Sequence, residues 1–297
     1  MKTTIISGAD ASFFDLLLQL VQSIRACPES GDVDLCILDV GLTPQQVSQL
    51  TPLVTRIVPA EWNLDFPARH RPDMCPSWYK AMYCRPFFPE YFPDYELMVW
   101  IDADAWLCNW EAMKLLLRGG EMNGFAIVPE VDRAYPHCFV PRQSVLNNLK
   151  NAYFAGFGPE AARFASMPVL NCGVFAMRRD VPYWGIWAEI LSRALQQGVG
   201  PLIEQCALNV AVYNNQIPAC FLPSWCNWNC AHSVPILDPR TRNLLVPLLP
   251  FEPISICHLV DCKRQSLNVT CNDGTFRHMP LTYEAVRLAE LPAPTSR

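Results

Sequence analysis

The stretch Glu96-Leu97-Met98-Val99-Trp100-Ile101-Asp102-Ala103-Asp104-Ala105-Trp106-Leu107 limits the fold more than any other part of the chain. Its apolar run is long enough for a strand, includes β-branched and aromatic residues, and has no polar face. A strand that is apolar on both sides belongs in a sheet covered on both sides, the setting of parallel α/β sheets. The run stops at Asp102 and Asp104. Ligands of open α/β sheets bind outside the carboxyl ends of the strands, which is where these two carboxylates stand. On consecutive same-side positions of an extended chain they repel each other, and buried carboxylates are tolerated when paired or bound to a cation. Oxygen donors of this kind suit Mg2+ or Mn2+, which keep waters and share coordination with a substrate's phosphates. The competing reading is a polar strand end, with Asp104 capping a helix that starts near Asn109.

Strands and helices alternate through the first half. Thr3–Gly8, Val33–Asp39 and Val54–Val58 read as strands, with a helix over Phe13–Ala26 between the first two. Thr43-Pro44-Gln45-Gln46 is a helix start, with a threonine cap, proline in the first turn and glutamine at the third position. After the irregular Pro59–Pro76, a helix is predicted over Trp78–Tyr91, which Pro86 must start, kink or break. Phe125–Val128, Val169–Met177 and Ile254–Leu259 are further strands, and Tyr183–Gln197 and Leu202–Tyr213 further helices. The polar and aromatic stretch up to about Pro168 is read as irregular, and regular structure is expected to thin out beyond Pro218. This alternation implies βαβ units and a mostly parallel sheet.

Composition narrows the function classes. Hydrophobic residues are 51% of the 297, which excludes disorder, and charged residues are only 17%. The net charge is −5 and no basic run occurs, which argues against nucleic acid as a partner. The amino terminus reads as a first strand rather than a signal peptide, and no stretch approaches the roughly 18 apolar residues of a membrane span. A cytoplasmic location is therefore expected. Of the 14 cysteines, Cys36, Cys84, Cys108, Cys172 and Cys206 lie in apolar strings, where cysteine acts as a small buried hydrophobe. For Cys226, Cys230, Cys257, Cys262 and Cys271 a structural zinc or disulfides stay open.

Several short motifs then fall in a telling order. Ser7-Gly8-Ala9-Asp10 follows the first strand, and Leu38-Asp39-Val40-Gly41-Leu42-Thr43 the second. Tyr83-x-Arg85 comes 17 residues before the Ile101-Asp102-Ala103-Asp104 motif. Leu170-Asn171-Cys172-Gly173-Val174, Glu204-Gln205-x-x-Leu208-Asn209 and Ile256-Cys257-His258 come after it. The set, spanning about Thr3 to Lys263, resembles the GT-A-fold glycosyltransferases, close in pattern to the retaining enzymes of family 8 that include glycogenin and bacterial lipopolysaccharide galactosyl- and glucosyltransferases.

The resemblance implies an α/β, GT-A (Rossmann-like) fold, with a mostly parallel central sheet and helices on both faces. It implies one domain over 1–297: a nucleotide-binding half to about 130, a sugar and acceptor half over about 131–265, and an extension over 266–297. The implied reaction is metal-dependent transfer of a hexose from a nucleotide-diphosphate sugar, a UDP-hexose, with retention, to an acceptor the sequence does not name. Gly8, Ala9, Asp10 and Ser12 would meet uracil and ribose, and Asp10 could equally cap the helix at Phe13. Arg85, Ala103 and Asn171 would face the donor. Asp102, Asp104 and His258 would hold the metal, and two carboxylates with one imidazole suit manganese better than zinc. Lys263 would neutralise phosphate. The family pattern His-x-x-Gly-x-x-Lys is altered here, with Asp261 at the glycine position, and Arg264 could substitute for the lysine. Glu204 and Gln205 would act on the sugar, Glu204 as nucleophile or hydroxyl ligand. The alternative is a degenerate member that binds a nucleotide sugar or glycan without turnover, suggested by the altered segment after His258. A nucleotidyltransferase is disfavoured, because no glycine-rich phosphate loop follows the first strand.

Overall fold

A computed structural model describes residues 1–140, 143–215 and 217–293. Strands β1 (Thr3–Ala9), β2 (Asp34–Asp39) and β3 (Arg56–Pro59) are parallel, joined by helices α1 (Phe14–Arg25) and α2 (Pro44–Leu50). The predicted capping box opens α2: Thr43 Oγ1 accepts from Gln46 N, and Gln46 Oε1 accepts from Thr43 N at 2.9 Å. β3 begins two residues later than the predicted Val54. The helix expected over Trp78–Tyr91 is broken at Pro86 into α3 (Lys80–Tyr83) and α4 (Phe88–Tyr91), with a 3-10 turn over Arg85–Phe87 between them. Arg85 therefore sits in a turn.

The chain continues through β4 (Leu97–Ile101), β5 (Ala105–Leu107), α5 (Glu111–Asn123), β6 (Phe125–Pro129), α6 (Gln143–Phe157), β7 (Leu170–Arg178), α7 (Tyr183–Leu195), α8 (Ile203–Asn215) and β8 (Cys220–Phe221). The main sheet has the order β3-β2-β1-β4-β7-β6-β8. It is mostly parallel; β7 alone runs against its neighbours β4 and β6. β4 is buried on both faces as its composition requires. Leu97, Val99 and Ile101 pack into the layer with α1 and α5, while Met98 and Trp100 pack into the layer with α4, α7 and α8. Helix α6 was not legible in the sequence. Asn147, Asn148, Asn151 and Gly156 are poor helix formers, and its buried face rests on Leu149 and Tyr153, four residues apart.

Beyond α8, two-residue strands β9 (Trp228–Asn229), β10 (Ile236–Leu237) and β11 (Leu244–Leu245) precede β12 (Ile256–His258), β13 (Leu267–Thr270) and β14 (Phe276–Met279). A second sheet has the order β5-β12-β9, and around it Trp106, Trp228, Leu237, Leu244 and Val269 form a third apolar cluster. The chain thus leaves the main sheet after Ile101 and enters the small sheet at Ala105. Asp102 and Asp104 lie in that crossing and not, as read from sequence, on an extended strand. Asp102 O accepts from Ala105 N at 3.0 Å, closing a turn. The capping reading also falls, since Asn109 Oδ1 accepts from Glu111 N where α5 begins.

All fourteen cysteines are free thiols. Cys230 Sγ and Cys257 Sγ approach to 3.5 Å, yet among the described residues no zinc site forms from Cys226, Cys230, Cys257, Cys262 and Cys271, which are mostly buried in apolar surroundings. No described helix is long and apolar enough to cross a membrane.

Candidate functional site

Asp102 is held by one of its two oxygens. Oδ1 accepts from Trp100 Nε1 at 2.6 Å and from Arg85 Nη2 at 2.5 Å, which turns Oδ2 toward His258, 3.8 Å from Nε2. Asp104 Oδ1 lies 3.3 Å from the same nitrogen. Pairing of β12 with β5 sets His258 opposite Ala105, and Leu259 N donates to Asp104 O at 2.9 Å. One ligand atom from each of Asp102, Asp104 and His258 lies within 4.8 Å of the others.

The surroundings fit a divalent cation. His258 Nδ1 is 2.9 Å from Asn227 Oδ1, and Asn227 Nδ2 donates to Asn171 Oδ1 at 3.0 Å. Asn227 therefore presents its carbonyl to the ring, so the proton belongs on Nδ1 and the Nε2 lone pair faces the carboxylates. At Gly173 an added side-chain carbon would stand 2.4 Å from His258 Cε1 and 2.9 Å from Asp102 Oδ2, so the ligands close over bare backbone. Burial pulls the His258 pKa down, but its Asp104 hydrogen bond and the charges of Asp104 and Asp102 leave it raised. Burial pushes Asp104 up, and His258 with Lys263 more than offsets it, leaving that carboxyl lowered. The metal-free imidazole therefore also carries a proton on Nε2, held by the ionised Asp104 carboxylate, and a bound cation would displace that proton and take up the lone pair.

Arg85 joins this centre to α8. It is 5% exposed and reaches Asp102 with Nη2 and Glu204 Oε2 with Nη1 at 3.1 Å. One cation serves two acids unequally. Burial opposes the guanidinium's charge, yet Asp102 first and Glu204 second hold it firmly protonated. Glu204, the more distant partner and 1% exposed, stays undercompensated: burial pushes its pKa up to about 7 despite Arg85, with Asp102 adding to the rise.

A cleft of about 490 Å³ gathers Arg85, Asp102, Asp104, Asn171, Glu204, Gln205, His258 and Lys263, all singled out from sequence. Gln205 Oε1 accepts from Cys172 N at 3.2 Å. Lys263 Nζ lies 3.4 Å from Asp104 Oδ2, and Arg264 Nη2 donates to Ser12 O at 2.9 Å. The left-handed backbone of this segment falls on Val260 (φ +50°), one residue before Asp261, which stands at the family's glycine position. Gly8, Ala9, Asp10, Ser12 and Ala103 are not among the cleft's walls. A side chain at Gly8 would collide with Leu38 Cβ, and Asp10 Oδ1 accepts from Ser12 N, Ser12 Oγ and Phe13 N at the start of α1. Ala9 and Ala103 are buried.

Sequence reasoning missed Glu130, Asn227, Asn229 and His232. Glu130 Oε1 accepts from Asn171 Nδ2 at 2.5 Å and Asn229 Nδ2 at 3.2 Å, and Oε2 is 2.8 Å from His232 Nε2. The one local hint was position: Glu130 directly follows β6 at the same end of the sheet where Asp102 follows β4. A depression of about 560 Å³ between α6 and α7, walled by Phe157, Arg163 and Arg193, lies away from this chemistry.

Residues 4–155, over half the chain, match glycosyl transferase family 8. The chain belongs to that family. Its fold is shared by solved structures, among them the following three. LgtC galactosyltransferase, with donor and acceptor sugar analogues, has a TM-score of 0.50 at 16% identity, over 86% of each chain. The bifunctional glycosyltransferase WbbM gives 0.50 at 14%, with 76% of this chain matched; that match spans only 39% of WbbM. The glycosyltransferase GlyE of Streptococcus pneumoniae gives 0.50 at 13%, over 87% of this chain and 54% of GlyE. The fold of this family 8 glycosyltransferase is accordingly GT-A. No curated protein sequence matches it.

Proposed function

We propose that this family 8 enzyme moves a hexose from a UDP-sugar to a hydroxyl acceptor with retention, using Mn2+ (or Mg2+). The convergence of Asp102, Asp104 and His258 in one cleft carries the reading. A cation bound there supplies charge stabilisation as negative charge builds on the departing diphosphate. The chain's own residues do the rest. Lys263, beside Asp104 in the cleft, and Arg264, which donates to Ser12 O, would meet phosphate oxygens. Arg85 and Trp100 fix Asp102. With Oε1 engaged by the Cys172 amide, Gln205 has its amide hydrogens for the sugar, where a polar group suffices for retention through a short-lived oxocarbenium ion. An LgtC structure carries an active-site glutamine-to-glutamate change, and Gln205 is this chain's candidate for such a residue. With its pKa pushed up to about 7 by burial and Oε2 held by Arg85, Glu204 is better suited to positioning than to nucleophilic attack, which needs an ionised carboxylate free to reach the anomeric carbon.

Calorimetric titration with UDP, with and without MnCl2, tests the proposal. Asp104→Ala should abolish the Mn2+-dependent binding while circular dichroism stays unchanged; unaltered binding refutes the assignment. Mn2+-dependent UDP binding with no release of UDP from UDP-glucose or UDP-galactose would favour a binding protein.

A further inference from the structure

The cleft does not end at the candidate metal ligands. A second chamber of about 440 Å³ adjoins it, and Glu130, Leu149, Val169 and His232 wall both spaces. The two differ in character. The cleft is lined with carboxylates, amides and cations, whereas Val131, Leu149, Ala165, Met167, Pro168 and Val169 make the chamber largely apolar. Single exposed apolar side chains mean little, but here they gather round one cavity. Val131 is 49% and Met167 43% exposed, and the wall segment at His137 and Cys138 continues into Phe139 and Val140, 69% and 66% exposed.

Polar groups stand at the junction. Glu130 is gripped by Asn171, Asn229 and His232, and the His232 ring lies 4.2 Å from that of His137. Burial would raise the Glu130 pKa, but these partners leave it lowered, so the junction presents an anionic acceptor of hydrogen bonds. A cavity of this size is in the usual range for small molecules, about 300–1,000 Å³.

We propose that the acceptor is an alcohol carried on an apolar body, alkyl or aryl, with the body seated in this chamber and the hydroxyl reaching the cleft past Glu130 and His232. This rests on the reading of the cleft as a sugar-transfer site. In the transfer the hydroxyl oxygen forms the new bond to the anomeric carbon as the sugar–phosphate bond breaks, and its proton leaves on the nucleoside diphosphate.

The test titrates protein loaded with MnCl2 and UDP with methyl, phenyl and n-octyl β-D-glucoside below micellar concentration. These probes share one head and differ only in the apolar part. Each buried methylene is worth about fourfold in affinity, so the octyl or the phenyl glucoside should bind at least tenfold tighter than the methyl one; which of them does so tells alkyl from aryl. Met167→Glu and Val131→Glu alter exposed positions and should abolish that advantage while leaving Mn2+-dependent UDP binding intact. Equal binding of all three probes, or an advantage that survives both variants, overturns the proposal. If the wild type fails to bind UDP with Mn2+ yet keeps a Met167-dependent preference, the chamber is an apolar-ligand site and the acceptor role falls along with the sugar-transfer reading.

Discussion

Replacing Glu204 by glutamine tests the unequal sharing of Arg85. The wild-type carboxyl titrates near 4.5 when solvated and is pushed up to about 7 in the fold, because burial outweighs Arg85. Between those values the folded state holds a proton that the unfolded state has lost, so folding stability must fall as pH rises. The stabilising contribution is present in full below about 4.5 and gone above about 7. The gap corresponds to about 3 kcal/mol at about 1.4 kcal/mol per pH unit. Glu204→Gln keeps the shape and cannot titrate, so its stability lacks this term. Urea unfolding followed by fluorescence of the nine tryptophans at pH 5, 6, 7 and 8 gives the difference between wild type and variant. That difference should move against the wild type by about 2–3 kcal/mol from pH 5 to 8. A flat difference, or one that favours the wild type at high pH, would mean that the ion pair governs Glu204 and that the argument from burial is wrong.

Gly173→Ala places a carbon 2.4 Å from His258 Cε1, about 1 Å inside ordinary contact, while metal ligands tolerate shifts of only about 0.2 Å. Mn2+-dependent UDP binding measured calorimetrically should drop by at least tenfold, and retained affinity would show that the ligands can yield. At Val260, a β-branched residue in left-handed backbone stores roughly 1–2 kcal/mol. Val260→Gly should therefore raise the folding stability by about 0.5–1 kcal/mol after glycine's entropic cost, read as a slightly higher urea midpoint; a lower midpoint would mean that the valine side chain matters more than its strain.

How much of this was legible depended on whether a signal was local. The β4 run, the Thr43 capping box and the strand ends at Asp39 and Asp102 encode their structure in a few adjacent residues, and they formed as read. Helix α6 did not show, because its asparagines speak against a helix and only burial of Leu149 and Tyr153 speaks for it. The turn at Asp102–Ala105 was hidden for a related reason: apolar residues resume at once, and nothing nearby says that they pair with β12, some 150 residues further on. In the cleft, Asp102 and Asp104 stood out as closely spaced carboxylates at a strand end, and His258 only by its place in the ordered set of motifs. Glu130 did not, since a lone glutamate after a strand gains meaning only when Asn171, Asn229 and His232 arrive from distant segments. At Val260 the sequence showed that the turn was altered but not which residue would bear the left-handed backbone.

The crossing from β4 to β5 makes the candidate metal centre a joint between two bodies of structure. Asp102 is anchored by the main sheet, while Asp104 and His258 ride on the small one. Further braces hold the small one: Trp106 Nε1 donates to Leu281 O at 2.8 Å and Arg287 Nη2 to Cys108 O at 2.7 Å. The segment that carries Leu281 and Arg287 is thus the buttress that keeps one jaw of the centre in register with the other. Loosening it would change the gap a cation must bridge while every ligand stayed in place.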